Sequence, residues 1–161
     1  MILRRHRDKD LEPIAVLFTD TVRQVNVQHY SPEQISVWAP KPPDLIRWRK
    51  RIADLALWVA ELDGHIIGFC GLGGDGHIDL LYTSYRFQRQ GVARALYQEV
   101  EADALQRGIR RLFTEASITA RPFFGKMGFE VIREQQVEFC GVMFQNYAME
   151  KRITMAGTPL T

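Results

Sequence analysis

The segment from Leu57 to Tyr82 limits the possible folds more than any other part of the chain. It contains three apolar, strand-like runs: Leu57 to Leu62, His65 to Leu72, and His77 to Tyr82. The dipeptide Asp63-Gly64, a strong signal for a two-residue hairpin turn, separates the first two runs, and the glycine-rich stretch 73–76 separates the last two. The segment therefore predicts three consecutive antiparallel strands.

Helical periodicity precedes this segment. Apolar residues at three- and four-residue spacing predict a first helix capped by Asp10. The sequence Ser31-Pro32-Glu33-Gln34 is a capping box with proline at the first helical position, and it starts a second helix that ends near Trp38. A third helix is expected from Asp44 to about Ala53, and a short strand over Ile2 to Arg5 comes before the first helix.

Helices and strands alternate after the three strands. The expected elements are a helix from Gly91 to Arg107, a strand from Arg111 to Ala116, a helix from Ala120 to Met127, and strands from Phe129 to Phe139 and from Val142 to Glu150. This order predicts an α+β fold with a central mixed, mostly antiparallel sheet flanked by helices and containing one β-α-β crossover.

Length and charge limit the class of protein. With 161 residues, the chain is expected to form a single domain over residues 1–152, followed by a flexible tail over 153–161. The formal charge of +2 gives no general attraction to nucleic acid or to a membrane, so neither is an expected partner, and we expect a monomer or homodimer. No signal peptide and no membrane span are recognisable, which favours a cytoplasmic location.

The two cysteines, Cys70 and Cys140, are far apart, and each lies in or next to an apolar strand-like segment. Neither belongs to a Cys/His pattern with metal-ligand spacing. We therefore expect two inert core thiols and no metal site.

The junction between the third strand and the following helix is the segment most suited to binding an anion. Residues Gln88 to Ala93 form a polar loop that leads into a helix N-terminus, where free N–H groups and a partial positive charge can hold a pyrophosphate. Gly91 and Ala93 allow close approach to the backbone, and Arg89 and Arg94 add positive charge. By itself this pattern is weak. The P-loop and dinucleotide signatures are both absent from the sequence, so we expect another phosphate-bearing ligand.

Two motifs together resemble the GNAT superfamily of acetyl-CoA-dependent N-acetyltransferases. The loop Gln88-Arg89-Gln90-Gly91-Val92-Ala93 is similar to that family's Gln/Arg-x-x-Gly-x-Gly/Ala signature, and the run from Ala120 to Phe129 is similar to its helix ending in Gly-Phe. The resemblance covers about residues 1–152. It implies the GNAT-like acyl-CoA N-acyltransferase fold, acetyl-CoA as the cofactor, and acetyl transfer to an amine.

The resemblance also implies roles for particular positions. The backbone amide of Leu81 would act as the oxyanion donor, and free backbone groups around Leu81 and Thr83 would pair with the cofactor arm. His29 and Tyr30 would line the acceptor groove. The implied cofactor-binding residues are Leu81, Tyr82, Thr83, Gln88, Arg89, Gln90, Gly91, Val92, Ala93, Arg94, Ser117 and Phe124.

Three residues are candidates for the general base that deprotonates the amine. Asp79 comes first, because aspartate is disfavoured inside strands and its presence there needs a reason. His77 lies two residues earlier on the same face, and Glu115 lies on the neighbouring strand. For Asp79, anchoring a hairpin is an equally good interpretation. His77 is better explained by simple exposure at a strand end next to a glycine turn.

This chain differs from the family pattern at the residue that would protonate the leaving thiolate. Many relatives carry a tyrosine where this chain has Phe124, which has no proton to donate. Tyr82, Tyr85, Thr119 or a water are the alternatives, and the sequence does not choose among them.

Two further functions follow from particular residues. Phe124 motivates a non-catalytic acyl-CoA-binding module or sensor as the alternative to an N-acetyltransferase that acts on a primary amine of a small molecule or peptide. The run Arg47-Trp48-Arg49-Lys50-Arg51 is compatible with nucleic-acid contact, although such a run usually forms a solvated helix face.

Overall fold

The computed structural model describes residues 1–155, which form seven strands and five α-helices. The strands are β1 (Ile2–Arg5), β2 (Ala56–Leu62), β3 (His65–Leu72), β4 (Ile78–Thr83), β5 (Arg111–Ser117), β6 (Glu130–Phe139) and β7 (Val142–Arg152). The helices are α1 (Leu11–Gln24), α2 (Pro32–Trp38), α3 (Leu45–Ile52), α4 (Val92–Gln106) and α5 (Arg121–Lys126).

The strands form two antiparallel sheets. One has the order β1-β2-β3-β4, and the other has the order β5-β7-β6, so the last strand lies between the two that precede it. Between β4 and β5 the structure of residues 1–155 contains a single parallel bridge, His77 with Phe113. The expected α+β class with mostly antiparallel pairing is confirmed, and the parallel component is limited to this bridge.

Helices cover both faces of the first sheet. Leu96, Val100 and Ala104 of α4 are fully buried on one face, beside Cys70. Ile14 and its neighbours on α1 pack on the other face, together with α2 and α3. The edge of β4 that lies opposite β3 lines a cavity, which makes this edge the candidate location of a site.

Gly76 allows the two sheets to meet. Its φ is +97°, and a Cβ at this position would collide with the carbonyl oxygen of Arg111. Only glycine permits that approach. It lets the Phe113 N–H donate to the Gly76 carbonyl at 3.1 Å, which starts the contact between β4 and β5.

Three local expectations are corrected. Asp10 does not cap α1 with its side chain; its carboxylate instead accepts from the Arg7 N–H and pairs with Arg4 at 2.8 Å. Cys140 is exposed in the β6–β7 turn, whereas Cys70 is buried as expected. Ile153, placed in the expected tail, is buried and donates its N–H to the Arg110 carbonyl. Residues 156–161, the rest of that tail, lie outside the described residues.

Within residues 1–155, no helix has the length and apolar character needed to cross a membrane.

Candidate functional site

The site is a cleft between β4 and β5. The strands touch at the start of β4 and the middle of β5, where the Thr114 hydroxyl donates to the Ile78 carbonyl at 2.9 Å. Beyond this point β4 pairs with β3 and β5 pairs with β7, so the two strands diverge. A cavity of about 920 Å³ occupies the space between them and extends to the start of α4. A volume of this size is typical of a small-molecule or cofactor site.

The amide of Leu81 faces this cleft. The N–H of Ser84 bonds to the Ile67 carbonyl on β3 at 2.8 Å. Because successive N–H groups of an extended strand point to opposite sides, those of Leu81 and Thr83 point away from β3. Leu81 and Thr83 both line the cavity. The backbone donor expected at Leu81 is therefore turned toward open space.

A β-bulge precedes Leu81. Gly71 pairs with Leu80, and its neighbour Leu72 pairs with Ile78, which leaves Asp79 without a partner on β3. Bulges of this kind bend a strand and redirect a side chain. Because Asp79 lies at this irregular position, the bulge explains how the strand accommodates an aspartate.

The carbonyl of Thr83 is not free, contrary to expectation. It accepts from the Thr21 hydroxyl at 3.1 Å and from Nε2 of Gln88 at 2.7 Å. The Gln88 side chain, expected to hold the cofactor, thus fixes the loop against the end of β4. The hydroxyl oxygen of Thr83 is buried and has no hydrogen-bond partner within the part of the chain that the structure describes.

The start of α4 has the properties of an anion site. Gly91 is its N-cap with φ +83°, and no acidic residue lies in the first turn. The first hydrogen bond of the helix runs from the Ala95 N–H to the Gly91 carbonyl. The amides of residues 92–94 therefore have no partner inside the helix. They open on the cavity, which Arg89, Arg94 and Lys126 also line. Free amides and three cations suit a pyrophosphate.

The neighbouring loop residue Gln90 is exposed and does not line the cavity. Val92 and Ala93 do line it. Arg89 has φ +61°, so two of the three residues 89–91 have left-handed backbone geometry. This geometry turns the chain sharply from β4 into α4 and directs the first helical amides at the cleft.

The three base candidates all line the same cavity. Nε2 of His77 lies 3.1 Å from Oε2 of Glu115. The hydrogen bond to the Glu115 carboxylate raises the pKa of His77 above its ordinary value. Oδ2 of Asp79 lies 3.5 Å from Nε of Arg51, an ion pair between half-exposed groups. The site thus carries two carboxylates beside one histidine, with one arginine across from them.

The two residues expected in the acceptor groove are already bound within the protein. Tyr30 is buried; its hydroxyl donates to the Gln145 carbonyl at 2.8 Å and accepts from the Ile118 N–H at 2.9 Å. Its ring still lines the cavity. Nδ1 of His29 lies 2.8 Å from the Thr119 hydroxyl, and His29 itself does not line the cavity.

The remaining cofactor candidates differ in what they can offer. The Ser117 hydroxyl accepts from the Ala120 N–H at 3.0 Å and so shapes the turn into α5. Phe124 is 3% exposed and packs against Phe129, with one edge on the cavity. Tyr82 packs its ring against Phe18, and by strand alternation its amide faces β3, so it reaches the cavity through its side chain.

Sequence reasoning missed several residues of the site. Asn146 lines the cavity, and its side-chain oxygen is buried without a hydrogen-bond partner among residues 1–155. Aromatic side chains form one wall: Trp38, Phe139 and Phe144. Arg51 belongs to the basic run noted in the sequence, but its ion pair with Asp79 depends on the tertiary packing of α3. No local sequence signal marks the other residues.

Comparison with known proteins finds relatives over most of the chain. Residues 26–151 match the family model described as acetyltransferase (GNAT) domain. The uncharacterized N-acetyltransferase YafP of Escherichia coli strain K12 is 35% identical over 147 residues, covering 91% of this chain and 93% of YafP.

Solved structures agree with this match. A GCN5-related N-acetyltransferase from Rhodopseudomonas palustris superposes with a TM-score of 0.90 at 30% identity, covering 94% of this chain and 95% of that chain. The yncA protein of Salmonella typhimurium, solved with its cofactor acetyl-CoA, has a TM-score of 0.69 at 16% identity and covers 99% and 97% of the two chains.

Proposed function

Because this chain belongs to the acetyltransferase (GNAT) family, we propose that it transfers an acetyl group from acetyl-CoA directly to a primary amine of a small molecule or peptide. The family expected from the two sequence motifs is confirmed. Acetyl-CoA, when bound, supplies an activated acetyl thioester whose thiolate is the leaving group. We further expect the chain to act in the cytoplasm as a monomer or homodimer.

The residues of the cleft fit such a cofactor. The free amides of residues 92–94 and the side chains of Arg89 and Arg94 suit its pyrophosphate. At the open edge of β4, the backbone amides of Leu81 and Thr83 can donate hydrogen bonds to the amide-containing arm of the cofactor. The unpartnered Thr83 hydroxyl is a further polar atom at this edge.

The observation that carries the proposal is the cleft-facing amide of Leu81, which follows the bulge at Asp79. A fixed N–H donor stabilises the oxyanion that develops when an amine attacks a carbonyl. One such donor typically lowers the barrier by about 3–4 kcal/mol. Because the donor belongs to a strand anchored on β3, it needs no reorganisation during the reaction.

We assign removal of the amine proton to Asp79. An alkylammonium with a pKa of about 10 must lose a proton before it can attack. The carboxylate of Asp79 contacts Arg51 through Oδ2, and Oδ1 makes no hydrogen bond within residues 1–155. Asp79 also lies two residues from Leu81, so the proton acceptor and the oxyanion donor belong to one short segment.

The His77–Glu115 pair is the alternative base. Its hydrogen bond raises the pKa of His77, so the neutral imidazole that can accept a proton becomes scarcer at a given pH. We therefore assign this pair to joining β4 and β5 at the closed end of the cleft rather than to removal of the amine proton.

Protonation of the thiolate has no dedicated side chain in this proposal. Phe124 has no proton to give, and burial raises the pKa of Tyr82 to about 12, so that hydroxyl is a weak acid near neutral pH. The Thr119 hydroxyl is engaged with His29. A thiolate with a pKa near 8.5 is a tolerable leaving group without help.

The test is release of free thiol from acetyl-CoA in the presence of polyamines, aminoglycosides, amino acids and peptides, with mass spectrometry of the products. Amine-dependent release with a mass gain of one acetyl group on the amine supports the proposal. A rise in melting temperature with acetyl-CoA, but no release with any amine, would favour a non-catalytic acyl-CoA sensor.

A further inference from the structure

A second cavity adjoins the reaction cleft. Its volume is about 400 Å³, and three residues line both cavities: Trp38, Arg51 and Phe139. We call this second cavity the annex. The residue that pairs with Asp79 therefore also belongs to the annex, which places the annex directly beside the proposed position of the reacting amine.

The annex combines aromatic walls with excess positive charge. Phe18 and Trp48 line it, and so do Arg47 and Lys50 of α3. The carboxylate of Asp44 also lines it, but accepts from the N–H groups of Ile46 and Arg47 as the cap of α3. Within residues 1–155, neither Arg47 nor Lys50 has a carboxylate within 4 Å.

The guanidinium groups are held against aromatic rings. Cζ of Arg51 lies 5.7 Å from the ring centroid of Trp48, and Cζ of Arg47 lies 6.0 Å from that of Phe139. A guanidinium at this distance is attracted to the face of the ring and keeps N–H donors available for a ligand. Two guanidinium groups and one ammonium are suited to a carboxylate.

From this arrangement, and resting on the acetyltransferase function proposed above, we infer that the acceptor is an aromatic amino acid or a close analogue: an amine that also carries a carboxylate and an apolar body. Its ammonium group contacts the Asp79 carboxylate, and its ring packs against Trp38 and Phe139. Its carboxylate pairs with the basic side chains of α3, namely Arg47, Lys50 and Arg51. Arg51 lies between the two charge sites, since its Nε is 3.5 Å from Asp79.

The same basic residues also raised nucleic acid as a partner. Arg47, Lys50 and Arg51 are exposed, but the annex that they line also has aromatic walls formed by Trp38, Trp48 and Phe139 and adjoins the cleft, which suits a small ligand with an apolar body. Arg49 is the basic residue of the run that lines neither cavity. It therefore provides a matched control on the same helix.

The test compares acceptors that differ by one carboxylate, namely phenylalanine with phenethylamine and 4-(aminomethyl)benzoate with benzylamine. In the wild type, kcat/KM should be at least about tenfold higher for the carboxylate-bearing member of at least one pair. The double variant Arg47→Gln/Lys50→Gln should lose this preference, mainly through KM, whereas Arg49→Gln should keep it.

A binding measurement separates this inference from the proposed function. Calorimetric titration of N-acetylphenylalanine and N-acetylphenethylamine into the protein without acetyl-CoA reports on recognition of the carboxylate without any transfer step. Tighter binding of the carboxylate compound, lost in the double variant and retained in Arg49→Gln, supports the inference even if no amine is acetylated.

Equal kcat/KM values within both pairs would overturn the inference while leaving the acetyltransferase function intact. Equal affinity of the wild type and the double variant for N-acetylphenylalanine would also overturn it. So would salt-sensitive binding of a single-stranded RNA oligonucleotide that depends on Arg47 and Lys50, if no carboxylate preference accompanies it.

Discussion

Nε2 of His77 and Oε2 of Glu115 lie 3.1 Å apart at the point where β4 and β5 begin to diverge. The rings of His77 and Phe113 also stack, with centroids 4.9 Å apart. The imidazole is thus held between a carboxylate and an aromatic face at the closed end of the cleft. Its charge state influences both the joining of the two sheets and the electrostatics of the site.

This pair predicts a pH dependence of stability. Because the hydrogen bond to Glu115 raises the pKa of His77 above its unfolded value, the ion pair contributes stability that is fully present below about pH 6.5. The contribution is lost as the pH rises through the folded pKa. The difference in unfolding free energy between wild type and Glu115→Gln should therefore shrink from pH 5 to pH 9.

The titration can be observed directly by NMR of the His77 ring. Glu115→Gln should lower the pKa of His77. Glu138→Gln, which neutralises an exposed carboxylate on β6, should leave it unchanged. An unaltered His77 titration in Glu115→Gln would contradict the ion pair.

Asp79 is predicted to act in turnover rather than in cofactor binding. Asp79→Asn keeps the size of the side chain but removes the proton acceptor, so kcat/KM should fall by roughly 10²- to 10⁴-fold. The rise in melting temperature caused by acetyl-CoA should be unchanged. Asp63→Asn, at the tip of the β2–β3 turn, provides the control with normal turnover. Normal turnover in Asp79→Asn would transfer the role to His77 or Glu115.

Gly91 and Gly108 are left-handed glycines at opposite ends of α4, with φ of +83° and +78°, and each has space for a Cβ. Replacing either by alanine should cost about 1–2 kcal/mol of backbone strain. Only Gly91→Ala should also weaken acetyl-CoA binding, because only Gly91 adjoins the free amides. Calorimetry with CoA and thermal unfolding of both variants provide the comparison. Equal CoA affinity in the two variants would argue against the anion site at this helix start.

The Tyr30 hydroxyl is predicted to stabilise the fold. Tyr30→Phe leaves the Ile118 N–H and the Gln145 carbonyl without their partner, which should cost about 1–3 kcal/mol. Chemical denaturation measures the loss. Tyr85→Phe, which alters an exposed hydroxyl, should have little effect. If both variants are equally stable, the hydroxyl of Tyr30 is free for the acceptor instead.

Much of the fold was predictable because local signals determine its elements. The period of α4 and the glycine after it placed that helix within one residue at each end, and Asp63-Gly64 placed the β2–β3 turn. The position of β7 between β5 and β6 was not predictable. The strand order depends on which strand edges form hydrogen bonds in the folded chain. The alternation of apolar residues along β7 does not indicate its neighbours, because it would be the same beside any strand.

The candidate site also has features that local sequence signals predict and features that depend on tertiary packing. The loop before α4 was found because a helix N-terminus carries its own signature of glycine and small residues. The role of Gln88, whose side-chain amide donates to the Thr83 carbonyl, depends on the course of the loop. The ion pair of Arg51 with Asp79 joins residues 28 positions apart through the packing of α3, and no spacing rule connects them.

The most direct measurement of acetyl transfer follows free thiol and acetylated amine together, using acetyl-CoA and the amine panel, with Asp79→Asn beside the wild type. We predict amine-dependent, stoichiometric formation of both products by the wild type and a large loss in Asp79→Asn, with the acetyl-CoA-induced rise in melting temperature equal in the two proteins. Stabilisation by acetyl-CoA without thiol release for any amine would contradict the proposed enzyme.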